Sequence, residues 1–247
     1  KKFEPIEEAV RALQTAHYRF KYCSKPVVAA PFQLALGGGA EVCMAADGIC
    51  AHSELYMGLV ELGVGVIPAG CGTTNLLIRW LEHIPPEMDT DRFPYIQKVF
   101  ELIGMANVSF SAEMARDAKF LRRTDRIVMD PDAQLGEAKT MVLGMAAGGY
   151  KPPAEPDFLV LPGREGLATI KMGLHNFLLG GMITEYEQHM GTKLGNILVG
   201  GDIEPYTLVT EQHLLDLECE VFLSLCGEVK TQERMQSILM SGKPLRN

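Results

Sequence analysis

The sequence predicts an α/β fold of short strands, glycine-rich turns and helices, followed by a mostly helical C-terminal region. Short apolar runs alternate with segments whose apolar residues recur every three or four positions, which indicates strands alternating with helices. The proline-rich segment 148–156 marks the clearest change of composition along the chain. We therefore expect a core over residues 1–147, a linker over 148–156 and a helical region over 157–247.

The composition is typical of a folded chain that binds a small molecule or a protein. The 247 residues are 47% hydrophobic and 22% charged, close to the average of globular proteins. A formal net charge of −8 argues against a nucleic-acid partner, because binding phosphates requires clustered Lys and Arg. No apolar run approaches the ~18–20 residues that cross a bilayer, and the six cysteines form no CxxC pair. We therefore expect a cytoplasmic protein with no membrane span, no disulfide framework and no bound metal.

The N-terminal part of the chain alternates helical and strand patterns. Apolar residues over 6–22 fall on one helical face, and this helix must end before Pro26. The run Val27–Ala30 predicts a strand buried on both faces, and Gly48–Ala51 predicts another strand. Between them a helix is expected over 40–46, because this segment has high helix propensity and few breakers.

The next segment combines a glycine-rich stretch with a helix. Residues 55–68 predict strand and loop pieces, because glycine recurs among them and interrupts any helical pattern. A helix is expected over 73–80, with Thr73 or Thr74 as its N-cap. Residues 82–94 are polar and broken by prolines, so we expect them to form a surface insertion.

The rest of the chain is predicted to be mainly helical. Beyond the linker, apolar residues repeat at helical spacing over 167–178 and 214–225. Thr210 and Thr231 are each followed by acidic residues and are the expected N-caps of two helices. Before the linker, the pattern predicts helices at 95–104, 111–119 and 132–146 and a strand at 126–129.

Three consecutive glycines stand between a predicted strand and a predicted helix. Gly37–Gly39 carry no Cβ, so a ligand can approach their N–H groups, which are unpaired at a helix N-terminus. The carboxylate of Glu41 follows about one turn later. Donors placed in this way could hold a carbonyl oxygen as it gains negative charge. The alternative is a tight turn followed by a solvated carboxylate.

A second carboxylate, Glu61, stands in the most apolar and glycine-rich segment of the chain. Burial there should raise its pKa, because a charged carboxylate is costly to bury without a partner. If Glu41 and Glu61 reach one pocket, they should titrate as a coupled pair and could serve as general acid and base. Alternatively, Glu61 is an exposed residue at a strand edge.

Four runs in close succession carry a family resemblance. They are 25–30 (KPVVAA), 35–41 (ALGGGAE), 45–47 (AAD) and 57–73 (MGLVELGVGVIPAGCGT). In this order they resemble the enoyl-CoA hydratase/isomerase family, the crotonases, over about residues 20–146. The resemblance implies a crotonase-like ββα superhelix, of which this chain would hold the C-terminal portion, with an added C-terminal helical region. Val60 departs from the proline that is usual at its position, and residues 82–94 have no common counterpart.

The resemblance also implies roles for individual residues. The Gly38 N–H would be one of two donors that bind the thioester oxygen, and Glu41 and Glu61 would hold and activate water. The presence of both acids is typical of a hydratase, which adds water across a trans-2-enoyl-CoA, while isomerisation stays an alternative. Further residues that we expect to contact the substrate are Gly37, Gly39, Gly65 and Pro68.

Two further expectations concern the whole protein. The family's first oxyanion donor belongs upstream of Lys1. The chain is therefore either a fragment of a longer protein or unable to form a complete site. A third hypothesis is a non-catalytic oligomerisation module. The region after Pro156 resembles the C-terminal part of bacterial proteins that fuse a 3-hydroxyacyl-CoA dehydrogenase to an enoyl-CoA hydratase. We expect an acyl-CoA substrate, a homo-oligomer and no cofactor in this chain, with NAD only if a dehydrogenase domain lies upstream.

Overall fold

Short parallel strands form two small sheets in the N-terminal part of the protein. The computed structural model describes residues 3–85, 87–155 and 159–247. The strands of this part are β1 (Val28–Ala29), β2 (Leu34–Leu36), β3 (Gly48–His52), β4 (Tyr56–Gly58) and β5 (Arg126–Val128). One sheet has the order β1-β3-β5, the other pairs β2 with β4, and all of these pairs are parallel. The predicted strands at 48–51 and 126–129 are therefore confirmed.

The strand predicted at Val27–Ala30 is present as β1, but the expectation that it is buried on both faces is wrong. Both residues of β1 are only half-buried, because this short strand lies at the edge of its sheet and has β3 as its neighbour. All five residues of β3 are buried instead, because β1 and β5 flank it.

Helices connect and cover these strands, and those predicted before the linker are confirmed within a few residues. A 3-10 helix, Glu61–Val64, lies in the segment predicted to hold strand and loop pieces. The α-helices among the described residues are α1 (Glu4–Lys21), α2 (Gly38–Met44), α3 (Gly72–Leu81), α4 (Phe93–Gly104), α5 (Ala112–Asp117), α6 (Gln134–Ala147), α7 (Gly163–Leu179), α8 (Glu185–Leu198), α9 (Glu211–Cys226) and α10 (Val229–Ser241).

The N-cap of α3 is Cys71, so the prediction of Thr73 or Thr74 is wrong. Both threonines lie fully buried in the first turn of the helix. The Thr73 hydroxyl donates to the Pro68 carbonyl at 2.9 Å instead of capping the helix. The first amides of α3 are bound by side chains from elsewhere in the chain, so no local capping residue is needed.

The two N-caps predicted in the C-terminal region have different outcomes. Thr210 is confirmed, because its side chain accepts a hydrogen bond from the His213 N–H at the start of α9. The prediction of Thr231 as an N-cap is wrong, because α10 begins at Val229 with Glu228 as its N-cap. The buried Thr231 hydroxyl donates to the Gly65 carbonyl instead.

Residues 82–94 are mostly exposed, as a surface insertion requires, with Pro86 outside the described residues. Arg92 is buried and holds this segment together by donating to the carbonyls of Pro85 and Met88. α4 begins at the residue after Arg92. The predicted surface position of this segment is therefore confirmed, while its being an insertion stays a prediction.

The C-terminal region packs against the N-terminal part through shared apolar side chains. Here β6 (Leu159–Leu161) pairs antiparallel with β7 (Thr207–Val209), α7 packs on α8, and α9 packs on α1 and α3. One hydrophobic core contains side chains from both parts. The domain boundaries stay a prediction, and Pro156, the last residue of the expected linker, lies outside the described residues. Across the described ranges, no helix has the length and apolar character needed to span a membrane.

Candidate active site

The turn between β2 and α2 brings three glycines to the candidate active site. Gly37 has a φ of +55°, which favours glycine, and its N–H donates to the Gly58 carbonyl at 2.9 Å. Gly38 is the first residue of α2. In the part of the chain that the structure describes, no group accepts a hydrogen bond from the Gly38 N–H. This N–H is therefore unpaired, while its role as an oxyanion donor stays a prediction.

Glu41, on α2, is 3% exposed and binds the turn that precedes α3. Its Oε1 accepts hydrogen bonds from the N–H of Gly70 at 2.9 Å and of Gly72 at 2.8 Å. Burial raises the pKa of Glu41 to about 7, although the two N–H bonds act in the opposite direction. The alternative of a solvated carboxylate is therefore wrong.

Glu61 lies at the start of the 3-10 helix and is half-buried. Its Oε2 is buried and has no hydrogen-bond partner among the described residues. Burial, followed by the charge of Glu41, raises the pKa of Glu61 to about 8. The expected rise in pKa is confirmed, and the alternative of an exposed edge residue is wrong.

The two carboxylates reach adjacent positions of the glycine turn. A Cβ placed on Gly37 would lie 2.9 Å from Glu61 Oε1, and a Cβ placed on Gly38 would lie 3.9 Å from Glu41 Oε2. The carboxylates come from different elements, yet the charge of Glu41 acts on Glu61. The two carboxylates thus lie close enough for one to act on the other, beside an unpaired N–H, which is an arrangement suited to proton transfer near a carbonyl oxygen.

The residues predicted to contact substrate lie at different distances from this pair. Gly37 is in contact with Glu61, and a Cβ on Gly39 would meet no atom within 4 Å. Pro68 is buried near Glu41, because a Cβ on Gly72 would lie 2.6 Å from Glu41 Oε1 and 2.9 Å from the Pro68 Cβ. Gly65 has a φ of +94° and packs against α10, whose atoms would lie 3.0 Å from a Cβ on it. The structure thus brings Gly65 to α10, and substrate contact by these four residues stays a prediction.

Sequence reasoning missed the side chains that hold residues 68–74, which we call the α3 turn. The Gln14 side chain donates to the Ala69 carbonyl at 3.0 Å, and His17 Nδ1 donates to the Gly70 carbonyl at 2.6 Å. Glu218, on α9, accepts from the N–H of Cys71 at 3.1 Å. A signal was present, because all three polar residues lie at helical spacing from apolar neighbours and so fall on buried faces.

Replacing Glu61 with Gln should make stability less dependent on pH. Because the pKa of Glu61 rises from 4.5 to about 8 on folding, its contribution is fully present below about pH 4.5 and is lost as the pH rises toward 8. Gln does not titrate, so the Glu61→Gln variant lacks this loss. Between about pH 5 and pH 8 its free energy of unfolding should therefore rise by a few kcal/mol relative to that of the wild-type protein, at about 1.4 kcal/mol per pKa unit. Urea denaturation at several pH values measures this difference. Parallel stability curves for the two proteins would contradict the raised pKa of Glu61.

The fold defines the class of protein: the chain has the crotonase fold. An enoyl-CoA hydratase from Bacillus halodurans aligns with 94% of this chain and 68% of its own, with a TM-score of 0.55 and 17% sequence identity. At that identity the likeness concerns the fold alone. No protein-family model matches the chain.

The sequence itself resembles one portion of larger fatty-acid oxidation proteins. It is 42% identical over 245 residues to a probable 3-hydroxyacyl-CoA dehydrogenase of Bacillus subtilis, covering 99% of this chain and 30% of that protein. It is 26% identical over 242 residues to a Rickettsia felis protein named as a trifunctional enzyme of a fatty acid oxidation complex, covering 96% of this chain and 29% of that protein. The chain thus spans about 30% of the length of these relatives. The resemblance to crotonases and to dehydrogenase fusion proteins is confirmed.

Proposed function

We propose that this chain carries the acid and base residues of an enoyl-CoA hydratase of fatty-acid β-oxidation, within a protein that also has 3-hydroxyacyl-CoA dehydrogenase activity. The observation that carries the proposal is the pair of carboxylates, buried Glu41 and half-buried Glu61, beside the unpaired Gly38 N–H. Hydration of a conjugated thioester requires a base for water, an acid for the α-carbon and a donor for the thioester oxygen. The three groups correspond to these three needs.

The difference between the two carboxylates supports a role for each. Two N–H donors bind Glu41 Oε1 and favour its ionised form. Backbone N–H groups of Val60 and Glu61 also lower the pKa of Glu61, but Oε2 has no donor among the described residues and burial outweighs these bonds. The charge of Glu41 further favours a protonated Glu61. Glu41 is therefore suited to act as the base, and Glu61 is suited to act as the acid.

In the proposed reaction the Glu41 carboxylate removes a proton from water as the water oxygen bonds to the β-carbon of the enoyl group. The electron pair of the double bond moves toward the thioester, and the Gly38 N–H stabilises the charge that develops on its oxygen. Glu61 then donates its proton to the α-carbon. Glu41 ends with one proton more and Glu61 with one fewer, so proton exchange with water restores the initial state.

The test is an assay of the intact protein with a short trans-2-enoyl-CoA, following the loss of absorbance of the conjugated thioester. Chromatography of the product as a 3-hydroxyacyl-CoA would support hydration. A 3-enoyl-CoA product would show isomerisation, and no conversion at all would favour the non-catalytic alternative. Either of these results would overturn the proposal.

We expect the rate to have a narrow, bell-shaped dependence on pH. Activity should rise as Glu41 ionises near its pKa of about 7 and fall as Glu61 loses its proton near its pKa of about 8. Because the two groups are coupled, the two limbs report on the pair. Measuring kcat/KM of hydration from pH 5 to 10, which extends about two units beyond each pKa, tests this. A rate that stays constant across that range would contradict proton transfer by these carboxylates.

The proposal extends to the setting of the enzyme. The substrate is an acyl-CoA, and the hydration step needs no cofactor from this chain. NAD would be bound by a dehydrogenase domain elsewhere in the protein, in line with the name of the Bacillus subtilis relative. We further propose that the protein is cytoplasmic and forms a homo-oligomer.

A further inference from the structure

A second carboxylate, that of Glu218 on α9, binds the α3 turn. Glu218 Oε1 accepts from the Thr74 N–H at 2.6 Å and from the Thr74 hydroxyl at 2.7 Å, and Oε2 accepts from the Cys71 N–H at 3.1 Å. Glu41 Oε1 accepts hydrogen bonds from the N–H groups of Gly70 and Gly72. Four N–H groups of the α3 turn are thus shared between two carboxylates, one from α2 and one from α9.

Glu218 has no part in the proton transfers proposed above. It is fully buried on α9, in the C-terminal helical region, and burial raises its pKa to about 8. Burying a carboxylate is costly unless hydrogen bonds compensate, so its side chain is held in place by its three donors. Because Glu218 is costly to bury and takes no part in proton transfer, a structural role near the site would account for its burial.

The α3 turn has a backbone conformation that needs such support. Cys71 has a φ of +75°, a left-handed conformation that costs a residue with a Cβ about 1–2 kcal/mol. In this conformation the N–H groups of Gly70 and Gly72 point to Glu41, while the Cys71 N–H points to Glu218. The hydrogen bond from Cys71 to Glu218 therefore holds the strained residue that orients the two donors of Glu41.

We propose that Glu218 is a positioning residue for Glu41: it holds the α3 turn so that the Gly70 and Gly72 amides keep the Glu41 carboxylate in place. The C-terminal helical region is thereby part of the support of the active site. The effect on the reaction rests on the proposed hydratase function, whereas the effect on the turn does not.

The experiment compares Glu218→Gln, Glu218→Asp and the control Glu220→Gln in the intact protein. Gln replaces the oxygen that accepts from the Cys71 N–H with an NH₂ donor, while Asp keeps both acceptor oxygens but is one methylene shorter. Glu220 lies on the same helix and is exposed, so its substitution removes a carboxylate without touching the turn. The Asp variant keeps the test decisive if the Gln variant does not fold.

Hydrogen–deuterium exchange of peptides that contain the α3 turn measures the positioning directly. Exchange should become faster in both Glu218 variants and stay unchanged in Glu220→Gln. Unchanged exchange in a folded Glu218 variant would overturn the proposal. This measurement stands even if the wild-type protein hydrates no enoyl-CoA, a result that would count against the proposed function alone.

Kinetics then separate a positioning role from a general loss of stability. We expect kcat for hydration to fall about 10- to 100-fold in Glu218→Gln with KM changed less than about threefold, because misplacing a catalytic group costs rate more than binding. Introducing Glu218→Gln into Glu41→Gln should lower the residual kcat by less than about twofold, since the two residues act as a unit. An unchanged kcat, or an equal loss with and without Glu41, would overturn the positioning role.

Discussion

Replacing Glu41 or Glu61 with Gln should reduce hydration of a short enoyl-CoA by about 10²–10⁴-fold, the usual contribution of a general acid or base. Gln has almost the same size, so the fold should persist. In Glu41→Gln the side-chain oxygen can still accept from the Gly70 and Gly72 amides, which isolates the loss of proton transfer from the loss of these hydrogen bonds. Steady-state kinetics and circular dichroism of the purified intact protein measure the two effects.

The matched control is Glu8→Gln, which removes an exposed carboxylate from α1 and should keep the rate of hydration within about twofold. Wild-type rates in Glu41→Gln would mean that this residue is not the base. Wild-type rates in Glu61→Gln would in the same way remove it from the acid role.

Replacing Gly37 with Ala should cost both stability and activity. Gly37 has φ of +55° and ψ of −125°, a combination that is essentially limited to glycine, and an alanine Cβ would lie 2.9 Å from Glu61 Oε1. We expect the free energy of unfolding to fall by about 1–3 kcal/mol through backbone strain alone. Displacement of the Glu61 carboxylate should also lower the rate of hydration by at least about tenfold.

Gly39→Ala provides the stability control two positions further along. A Cβ at Gly39 meets no atom within 4 Å, and Ala favours the helical conformation of α2, so stability should be unchanged or higher. Chemical denaturation of both variants gives the comparison. Equal stability of Gly37→Ala and the wild-type protein would contradict the conformation of this turn.

Local pattern was sufficient for most of the secondary structure. The apolar spacing over 6–22 corresponds to α1, and three glycines after an apolar run correspond to the β2–α2 turn. These elements depend on neighbouring residues, whose periodicity and conformational freedom can be read directly. The partial exposure of β1 could not be predicted from local pattern, because an edge strand and a central strand can have the same apolar run.

The α3 turn shows what local pattern could not reveal. Thr73 and Thr74 have the composition of N-caps, yet carboxylates from Glu41 and Glu218 bind the first amides of α3. Glu218 is 147 positions away from Cys71 along the chain. Since no local signal specifies a partner at that separation, only the packing of α9 on α3 could replace the predicted cap.

The chemistry of the site likewise depends partly on the sequence and partly on the tertiary structure. The order of the glycines, Glu41 and Glu61 was enough to suggest two carboxylates and a backbone donor, because these groups have few other uses in an apolar segment. Their different environments come from tertiary structure, which brings the Gly70 and Gly72 amides to Glu41 and places Glu61 beside the charge of Glu41. A carboxylate's pKa depends on the donors and charges that packing brings to it, so the residue types follow from the sequence and the assignment of acid and base follows from the fold.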